Sequence, residues 1–393
     1  MKYYLMMCAA VGWFVSSAAS QINVSGEGSV GYVTSERGFS QYVIDNGNPT
    51  FVWRWDLFAD MRVSDNITLS SNFRMLQDEV FHIDYFALRI SDIASTGVNA
   101  QMGLIDLPFG NLGNRRFPKE NPFYDLPLMN EHLTSLCESD YKLWVLEPQF
   151  AVKGDGVRLL DQGLYDLGVE VFGRFGMFEY AAALINGMIS ETGVYAPQGV
   201  NANNGFGGVF RVAATPTTGL TFGISYATGS FMEDQHTDTN SAIYQEDPSE
   251  YPQHIVMGDL DFSLGYFTLY GQAGYNIWSF QNADEDNKKI SHSDLKAFAY
   301  SVEATYAVTP RLTLAVRAGG LLFNSIDDTV PTFSGPVHYS GNWDRDEFRL
   351  ETAIDVHLTR ELLLKGVYEW NRTYDVAQDP LDDVFVLQSV VSF

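Results

Sequence analysis

Val384 to Phe393, with the sequence VFVLQSVVSF, is the last stretch of the chain and the one that decides its fold. In a β-strand, successive side chains point to opposite faces. One face of this stretch carries Phe385, Leu387, Ser389, Val391 and Phe393. The other face is only slightly more polar. The stretch therefore predicts a strand, but it leaves open whether that strand belongs to a soluble sheet or to a membrane protein.

The segment from Phe51 to Val63 alternates more clearly. Its odd-numbered positions are all apolar and include Trp53 and Trp55. Its other face carries four charged and two apolar residues, namely Val52, Arg54, Asp56, Phe58, Asp60 and Arg62. A helix could not separate these residues in this way, because its period is 3.6 residues. The segment from Phe348 to Leu358 repeats the pattern with a charged face, and a charged face is costly against lipid. We therefore expect that face to look into water.

The alternation continues along the chain from Gln21 and predicts sixteen strands. They lie near 22–34, 51–63, 67–77, 81–91, 98–107, 166–174, 177–188, 205–214, 219–230, 254–263, 266–280, 295–308, 311–323, 346–358, 361–374 and 383–393. Short and long connections follow each other almost in strict turn, which is typical of barrels with tight turns at one end and long loops at the other. The sequence thus predicts an all-β protein, a closed antiparallel transmembrane β-barrel of about 16 strands.

Composition narrows the possible partners and compartments. Residues 1–20 combine one cation, an apolar centre and small residues at the end, which predicts a signal peptide and leaves 21–393 as one barrel domain. No other run of about 18 apolar residues occurs, so no transmembrane helix is expected. The formal net charge of −25 makes nucleic acid a poor partner. Only Cys137 remains after cleavage, and the chain has no haem-attachment motif, so no cofactor is expected.

Several short motifs occur in an order that resembles the phosphate-selective porin O and P family. They are Met102-Gly103 with Pro108-Phe109-Gly110, Asp155-Gly156-Val157, Phe178-Glu179-Tyr180, Phe210-Arg211-Val212, the run from Gly219 to Tyr226 and the run from Gly258 to Asp261. The resemblance implies a 16-stranded, usually trimeric channel of the bacterial outer membrane with one loop folded into the lumen, here 108–165. The terminal Phe393 is likewise similar to the signal that guides barrel assembly, which implies the barrel assembly machinery as a partner.

Charged residues of the predicted loop and of the inward strand faces are the candidate site. The loop contributes Arg115, Arg116 and Lys119, joined by Lys153 and Arg158. The predicted pore-lining residues of the strands are Arg54, Asp56, Arg62, Arg211, Asp259, Asp261, Arg317, Arg349, Glu351 and Lys365. Loop cations facing wall acids would set a transverse field that tunes selectivity; the alternative is a solvated cluster of loop charges. Because inward acids and bases nearly balance, the family's phosphate specificity is not carried over.

Catalysis and metal binding find little support. The chain contains no G-x-S-x-G motif, and its seven histidines form no H-x-x-x-H pair. Acidic stretches such as 284–286 and 327–328 lack EF-hand spacing. They are either solvated loops or places where cations bridge to lipopolysaccharide.

The pattern as a whole favours an outer-membrane porin, a passive diffusion channel for small hydrophilic solutes or ions. It would not be an enzyme, would lie in the lipid with both termini in the periplasm, and would form a homotrimer. Two alternatives stay open. One is a barrel that serves as a sheath for a partner such as a multihaem cytochrome, and the other is a surface-binding barrel without an open pore.

Overall fold

The computed structural model describes residues 21–37, 41–77, 79–137, 142–143, 156–160, 164–190, 205–231, 252–283, 289–330, 337–374 and 381–393. The predicted signal peptide at 1–20, the loop cation Lys153 and the acidic stretch at 284–286 lie outside the described residues.

Sixteen antiparallel strands form one closed barrel. Numbering only these strands, they are β1 Gln21–Ser35, β2 Thr50–Arg62, β3 Ile67–Leu76, β4 Glu79–Ile90, β5 Val98–Asp106, β6 Tyr165–Phe175, β7 Phe178–Ile185, β8 Gly207–Thr217, β9 Leu220–Ser230, β10 Pro252–Leu264, β11 Phe267–Ala283, β12 Lys289–Thr309, β13 Leu312–Phe323, β14 Glu347–His357, β15 Leu362–Thr373 and β16 Val384–Ser392. All sixteen predicted strands are confirmed. The largest difference is at β12, which begins at Lys289 and not near 295.

Small elements occupy the connections. They are the one-turn helix α1 Leu128–Glu131, the 3-10 turns Ile44–Gly47, Ile93–Ser95 and Gly113–Arg116, and two small ribbons that pair Leu136–Cys137 with Lys142–Leu143 and Ser325–Val330 with Val337–Asn342. None of the helices in the described part of the chain is long and apolar enough to cross a membrane.

The barrel closes between its first and last strands. β1 pairs with β16 from Glu27 opposite Ser392 to Ser35 opposite Val384. Beyond this ladder, the amide nitrogens of Gly26 and Phe393 each donate to the carbonyl oxygen of the other residue, at 3.1 and 3.0 Å. Closure pairs the edge groups that lipid could not satisfy.

The two faces of the strands differ as the alternation predicts. On the outside, Trp53 and Ile354 are 39% and 52% exposed, whereas the inward Asp56 and Glu351 are each 1% exposed. A soluble sandwich would bury the first pair and expose the second. The short connections, such as 63–66, lie at one end of the barrel, here called the turn end. The long connections lie at the other, the loop end.

One bulge changes the parity that the sequence suggests. Along β3 and β4, Asn72 pairs with Tyr85 but the next residue, Phe73, pairs with Ile83, so that Asp84 is an extra residue in β4. Asp84 is buried in the lumen, and the neighbouring Tyr85 donates its hydroxyl to the inward Gln101 at 3.0 Å. Two consecutive side chains therefore face inward, which simple alternation cannot predict.

The lumen is filled unevenly. A buried apolar cluster near the loop end joins strands β11 to β13 with the connection between β5 and β6, and it includes Leu128, Met129, Trp278, Phe323 and Trp343. The rings of Trp343 and Phe323 meet edge to face at 4.9 Å between centroids. This cluster closes one side of the barrel interior and leaves cavities on the other.

Candidate channel site

The connection between β5 and β6, residues 107–164, is called the inserted segment below, and its described residues enter the lumen. The Gly110 amide donates to Ser225 Oγ on β9 at 3.0 Å. Nine residues later, the Lys119 amide donates to Glu27 Oε2 on β1 at 3.3 Å. Strands β1 and β9 are half the barrel apart in strand order, so the segment crosses the interior. The predicted insertion of 108–165 is thereby confirmed for the described part of the segment.

Arg317 on β13 fastens the middle of the inserted segment. Its Nη2 donates to the carbonyl oxygens of Asp125 and Leu126 at 2.7 and 3.1 Å. Its Nε and Nη2 also reach both carboxylate oxygens of Glu351 at 2.5 Å, and its guanidinium lies 4.3 Å from the centre of the Phe123 ring. Arg317 and Glu351 stand directly opposite each other on β13 and β14, so strand register creates the pair.

Two neighbouring wall cations are buried as well, and one of them, Lys365, also fastens the inserted segment. Lys365 Nζ donates to the carbonyl oxygens of Pro118 and Asn121. Arg349 donates to Asn371 Oδ1 at 2.8 Å, and its guanidinium covers the Tyr42 ring at 4.6 Å. The expectation that this charged face looks into water is wrong for β13 to β15, where Arg317, Arg349, Glu351 and Lys365 are all buried. Buried loop carbonyls need donors, and Arg317 and Lys365 supply them.

Arg115 holds the inserted segment against the opposite wall. Its Nη1 lies 3.2 Å from Glu303 Oε1, its Nη2 lies 3.9 Å from Asp261 Oδ2, and its guanidinium stacks 3.9 Å from the centre of the Tyr270 ring. Asp261 also accepts from Asn111 Nδ2 at 3.4 Å. A loop cation thus does face wall acids as the sequence suggests, but as direct pairs that leave little field across open space.

Arg116 turns to the other side and borders the open part of the lumen. Its guanidinium lies 4.5 Å from the centre of the Tyr165 ring and forms an ion pair with Asp106 at the end of β5. Burial acts against the charged form of Arg116, but Asp106 outweighs it, and the pKa of the guanidinium is raised above its ordinary value. Arg116 therefore stays a fixed positive charge.

Two cavities meet at Arg116 and Tyr165, which line both of them. The cavity towards the loop end has a volume of about 360 Å³. Its lining includes the ion pair of Arg74 with Asp84, at 3.2 Å, and Arg54. Arg54 binds the two carboxylate oxygens of the adjacent Asp56 at 2.6 and 3.0 Å.

Asp125, from the inserted segment, also lines the loop-end cavity. Burial, followed by the nearby charge of Glu131, raises the pKa of Asp125 to about 7, although Arg349 and Arg317 act in the opposite direction.

The cavity towards the turn end has a volume of about 430 Å³ and is lined by residues of β2 to β6 and of the inserted segment. A third cavity of about 350 Å³ lies at the turn end itself and shares Glu170 and Phe172 with the second. Its lining also includes Arg211, which binds Asp259 Oδ1 at 2.8 Å. The three cavities share lining residues and follow one another along the β2 to β8 side of the barrel from loop end to turn end, and this row of cavities is called the path below.

The remaining predicted site residues lie apart from this path. The Lys119 side chain is exposed, and only its amide takes part in holding the segment. Arg158 forms a backbone bridge with Leu133 in the layer at the loop end, away from Arg115 and Arg116. Arg62 pairs with Asp65 at 3.0 Å in the exposed turn after β2. The sequence grouped these cations by charge, but only Arg116 among the loop cations borders the cavities.

Sequence reasoning missed Asp84, Asp106 and Tyr165 as path residues. Asp84 reaches the lumen through the bulge in β4, for which the sequence carries no clear signal. Asp106 and Tyr165 stand where the inserted segment leaves and rejoins the barrel, and they pair with each other across β5 and β6. Their position at the two ends of the longest connection was the signal that could have found them.

A second polar group at the loop end joins Tyr42, His132, Ser135 and Asp344. The Tyr42 hydroxyl lies 2.8 Å from His132 Nδ1, and His132 Nε2 lies 3.3 Å from Asp344 Oδ2. Ser135 Oγ donates to Asp344 Oδ1 at 3.0 Å. Because the serine binds the aspartate and not the histidine, the group lacks the nucleophile–base contact of a hydrolase. Its members tie three connections together. No group of three metal-ligating side chains occurs among the described residues.

Comparison with known proteins agrees with the fold. No protein-family profile matches the chain, and no curated protein matches it in sequence. Solved structures of outer-membrane proteins do resemble it. A loop-deletion mutant of OmpT, an outer membrane protein of Vibrio cholerae, has a TM-score of 0.58 and 10% identity over 96% of this chain and 100% of that one. The fold is that of an outer-membrane porin-type barrel.

Two further structures show the same likeness. The anion-selective porin from Comamonas acidovorans has a TM-score of 0.58 at 10% identity, covering 95% of this chain and all of its own. The outer membrane channel DcaP of Acinetobacter baumannii has a TM-score of 0.56 at 12% identity, covering 96% and 99%. At such low identity the likeness concerns the porin-type fold alone.

Proposed function

We propose that this protein is a passive diffusion channel of the bacterial outer membrane for small hydrophilic solutes or ions. The observation that carries the proposal is the row of cavities along β2 to β8, which meet at Arg116 and Tyr165. Solutes would move down their gradient past this point without cofactor, energy or chemical change. Both termini would lie in the periplasm, because the tight turns of such barrels are on that side.

The charges along the path favour weak and mixed selectivity. The lining of the loop-end cavity includes Arg54, Arg74 and Arg116 together with Asp84, Asp125 and Glu131. Acids and bases in equal number provide no single-sign field that would strongly favour anions or cations. Arg116 stands at the shared boundary and is the residue whose charge acts on every passing solute.

The test is the conductance of purified protein in planar lipid bilayers, with Arg116→Ala and Arg115→Ala as a matched pair. Removing Arg116 opens the boundary between the cavities and deletes its charge, so we expect higher single-channel conductance and a reversal potential shifted towards cations. Removing Arg115, which faces the wall, should change the stability of the open level more than the reversal potential. A protein that forms no channels, or an Arg116→Ala variant with unchanged conductance and reversal potential, would contradict the proposal.

The two alternatives receive different support. A sheath around a multihaem cytochrome needs free space in the lumen, which the inserted segment occupies. A surface-binding barrel without an open pore is compatible with the apolar cluster near Trp343 and predicts no conductance in the same bilayer test.

The finer expectations remain proposals. They are homotrimer formation, contact with lipid and lipopolysaccharide, recognition of Phe393 by the barrel assembly machinery, and membership of the phosphate-selective porin O and P family. The exposed Phe393 ring, next to Trp55 on the outer surface, is accessible for such recognition.

A further inference from the structure

The cavity on the turn side of Arg116 has an unusual lining for the interior of a polar channel, and it is called the aromatic cavity here. Five of its seventeen lining residues are aromatic, about twice the 14% found in the whole chain. They are Phe58, Tyr85, Phe117, Tyr165 and Phe172. Its volume of about 430 Å³ lies in the range of small-molecule sites.

The aromatic rings and the guanidinium groups form flat surfaces around this space. Phe117 meets Phe58 edge to face, with 5.0 Å between ring centroids. Arg116 lies over Tyr165, and Arg89 lies over Phe172 with its central carbon 5.1 Å from the ring centroid. Such surfaces stack on a planar ring more favourably than on a saturated one.

Arg89 is the cation of the aromatic cavity that is available to a ligand. Its Nε and Nη2 donate to Gln101 Oε1 at 3.3 and 3.1 Å, and Gln101 Nε2 donates in turn to Glu170 Oε2 at 2.5 Å. A neutral amide thus separates Arg89 from that carboxylate, and within the described ranges no acid forms an ion pair with Arg89. Its side chain is exposed to the lumen. By contrast, Arg116 is engaged by Asp106. A guanidinium with free N–H groups binds a carboxylate well.

Asn72 supplies a second polar group in the same cavity. It is 3% exposed, and its side-chain amide lies against the hydroxyl of Tyr165, which lines the same cavity. An amide and a hydroxyl that line the same cavity offer a polar substituent both a donor and an acceptor. The residue paired with Arg89 across β3 and β4 is Thr68, four positions closer to the turn end than Asn72. The two polar groups therefore lie at different heights in the cavity.

We propose that the aromatic cavity binds a small planar aromatic carboxylate that carries a polar substituent on the far side of its ring. The carboxylate binds Arg89, the ring lies among the aromatic side chains near Phe117, and the substituent binds Asn72. This inference rests on the proposed channel function, since the ligand is then a preferred solute that pauses beside the boundary at Arg116 and Tyr165.

The test measures current block by 4-hydroxybenzoate in planar bilayers and its binding to the purified full-length protein by calorimetry. We expect block and binding in the same concentration range. Cyclohexanecarboxylate should bind about threefold to tenfold more weakly, because it lacks a flat π-face. Arg89→Gln should weaken 4-hydroxybenzoate about tenfold or more. Asn72→Leu should weaken 4-hydroxybenzoate but leave benzoate unchanged.

The control variant is Arg360→Gln, which removes an exposed cation from a tight turn outside the cavity and should change nothing. Phe172→Leu serves as a second variant if Arg89→Gln fails to fold, with weaker binding again expected. Three results would refute the proposed binding site. They are equal block by acetate and 4-hydroxybenzoate, block by benzylammonium instead of 4-hydroxybenzoate, and full binding of 4-hydroxybenzoate to the Arg89→Gln variant. In those cases, conductance in plain salt would leave the channel function standing. If the protein shows no conductance, the proposed channel function is contradicted. Calorimetry would then still show whether 4-hydroxybenzoate binds to the aromatic cavity.

Discussion

Replacing Arg317 by Met should weaken the attachment of the inserted segment to the barrel wall by about 3–5 kcal/mol. Arg317 is 2% exposed, binds both carboxylate oxygens of Glu351, and donates to two carbonyl oxygens of the segment. A Met side chain fills similar space but leaves the buried Glu351 without its counterion and the two carbonyls without their donor. The measurement is guanidinium unfolding of the protein refolded into lipid vesicles, extrapolated to zero denaturant.

The double variant Arg317→Met with Glu351→Gln separates the lost pair from the unpaired charge. Because a neutral amide tolerates burial better than a carboxylate, we expect the double variant to recover about 1–3 kcal/mol relative to Arg317→Met alone. Arg62→Gln is the matched control, since its ion pair with Asp65 is exposed and should contribute less than about 1 kcal/mol. A loss below about 1 kcal/mol for Arg317→Met, or a double variant worse than either single one, would refute the anchoring role.

The single substitution Arg317→Met should also change the channel current. The hydrogen bonds between β13 and β14 belong to the backbone and do not depend on the Arg317 side chain. The barrel should therefore still form and insert, while the loosened segment fluctuates across the lumen. In bilayers we expect single-channel records with more frequent transitions between levels than in the unmodified protein. A quiet record identical to that of the unmodified protein would argue against a mechanical link between Arg317 and the path.

Three further substitutions and one control test other parts of the structure. Trp343→Ala should cost about 3–5 kcal/mol in the same unfolding assay, because its ring is fully buried against Trp278 and Phe323. Trp343→Phe should lose about 1 kcal/mol, mainly through the missing bond from Nε1 to a main-chain oxygen at 2.9 Å. Gly156→Ala should loosen the inserted segment, because the added Cβ would lie 1.6 Å from a backbone oxygen of the segment. The measurement is proteolysis of the intact vesicle-bound protein, which should become faster. The control is Gly265→Ala, in an open turn at φ +62°, which should leave proteolysis of the segment unchanged.

The sequence predicted the barrel well because every strand spans the lipid. Lipid on one side and a polar interior on the other impose a period of two residues on each strand, and the segment from Phe51 to Val63 shows that period without interruption. The placement of Arg54 and Asp56 on one inward face followed directly from it. The predicted bounds were least accurate at β12, because the sequence from Lys289 to Ser293 shows no regular apolar face.

The arrangement inside the lumen could not be predicted in the same way. Alternation tells which side of a strand a residue faces, but not what covers that side. Arg317 and Glu351 are 34 positions apart and become partners only through the register of β13 and β14. The inserted segment has no repeating pattern of its own, so the opposite orientations of Arg115 and Arg116 depend on the short 3-10 turn that contains them. The bulge at Asp84 is a third case, since one extra residue reverses the parity of part of β4.

The uneven filling of the lumen explains how a protein rich in inward charges can be both stable and open. On the β13 to β15 side, buried cations such as Arg317 and Lys365 satisfy loop carbonyls and wall acids, and the apolar cluster around Trp343 excludes water. On the β2 to β8 side, cations such as Arg54 and Arg74 pair with acids along the wall, Arg89 binds the neutral Gln101, and these charges still border open space. A charge on the first side contributes to holding the segment, and a charge on the second side contributes to the path. Substitutions of charged residues on the β13 to β15 side should therefore change the free energy of unfolding, and those on the β2 to β8 side should change the reversal potential. Substitution of Arg116, at the boundary between the cavities, should change both.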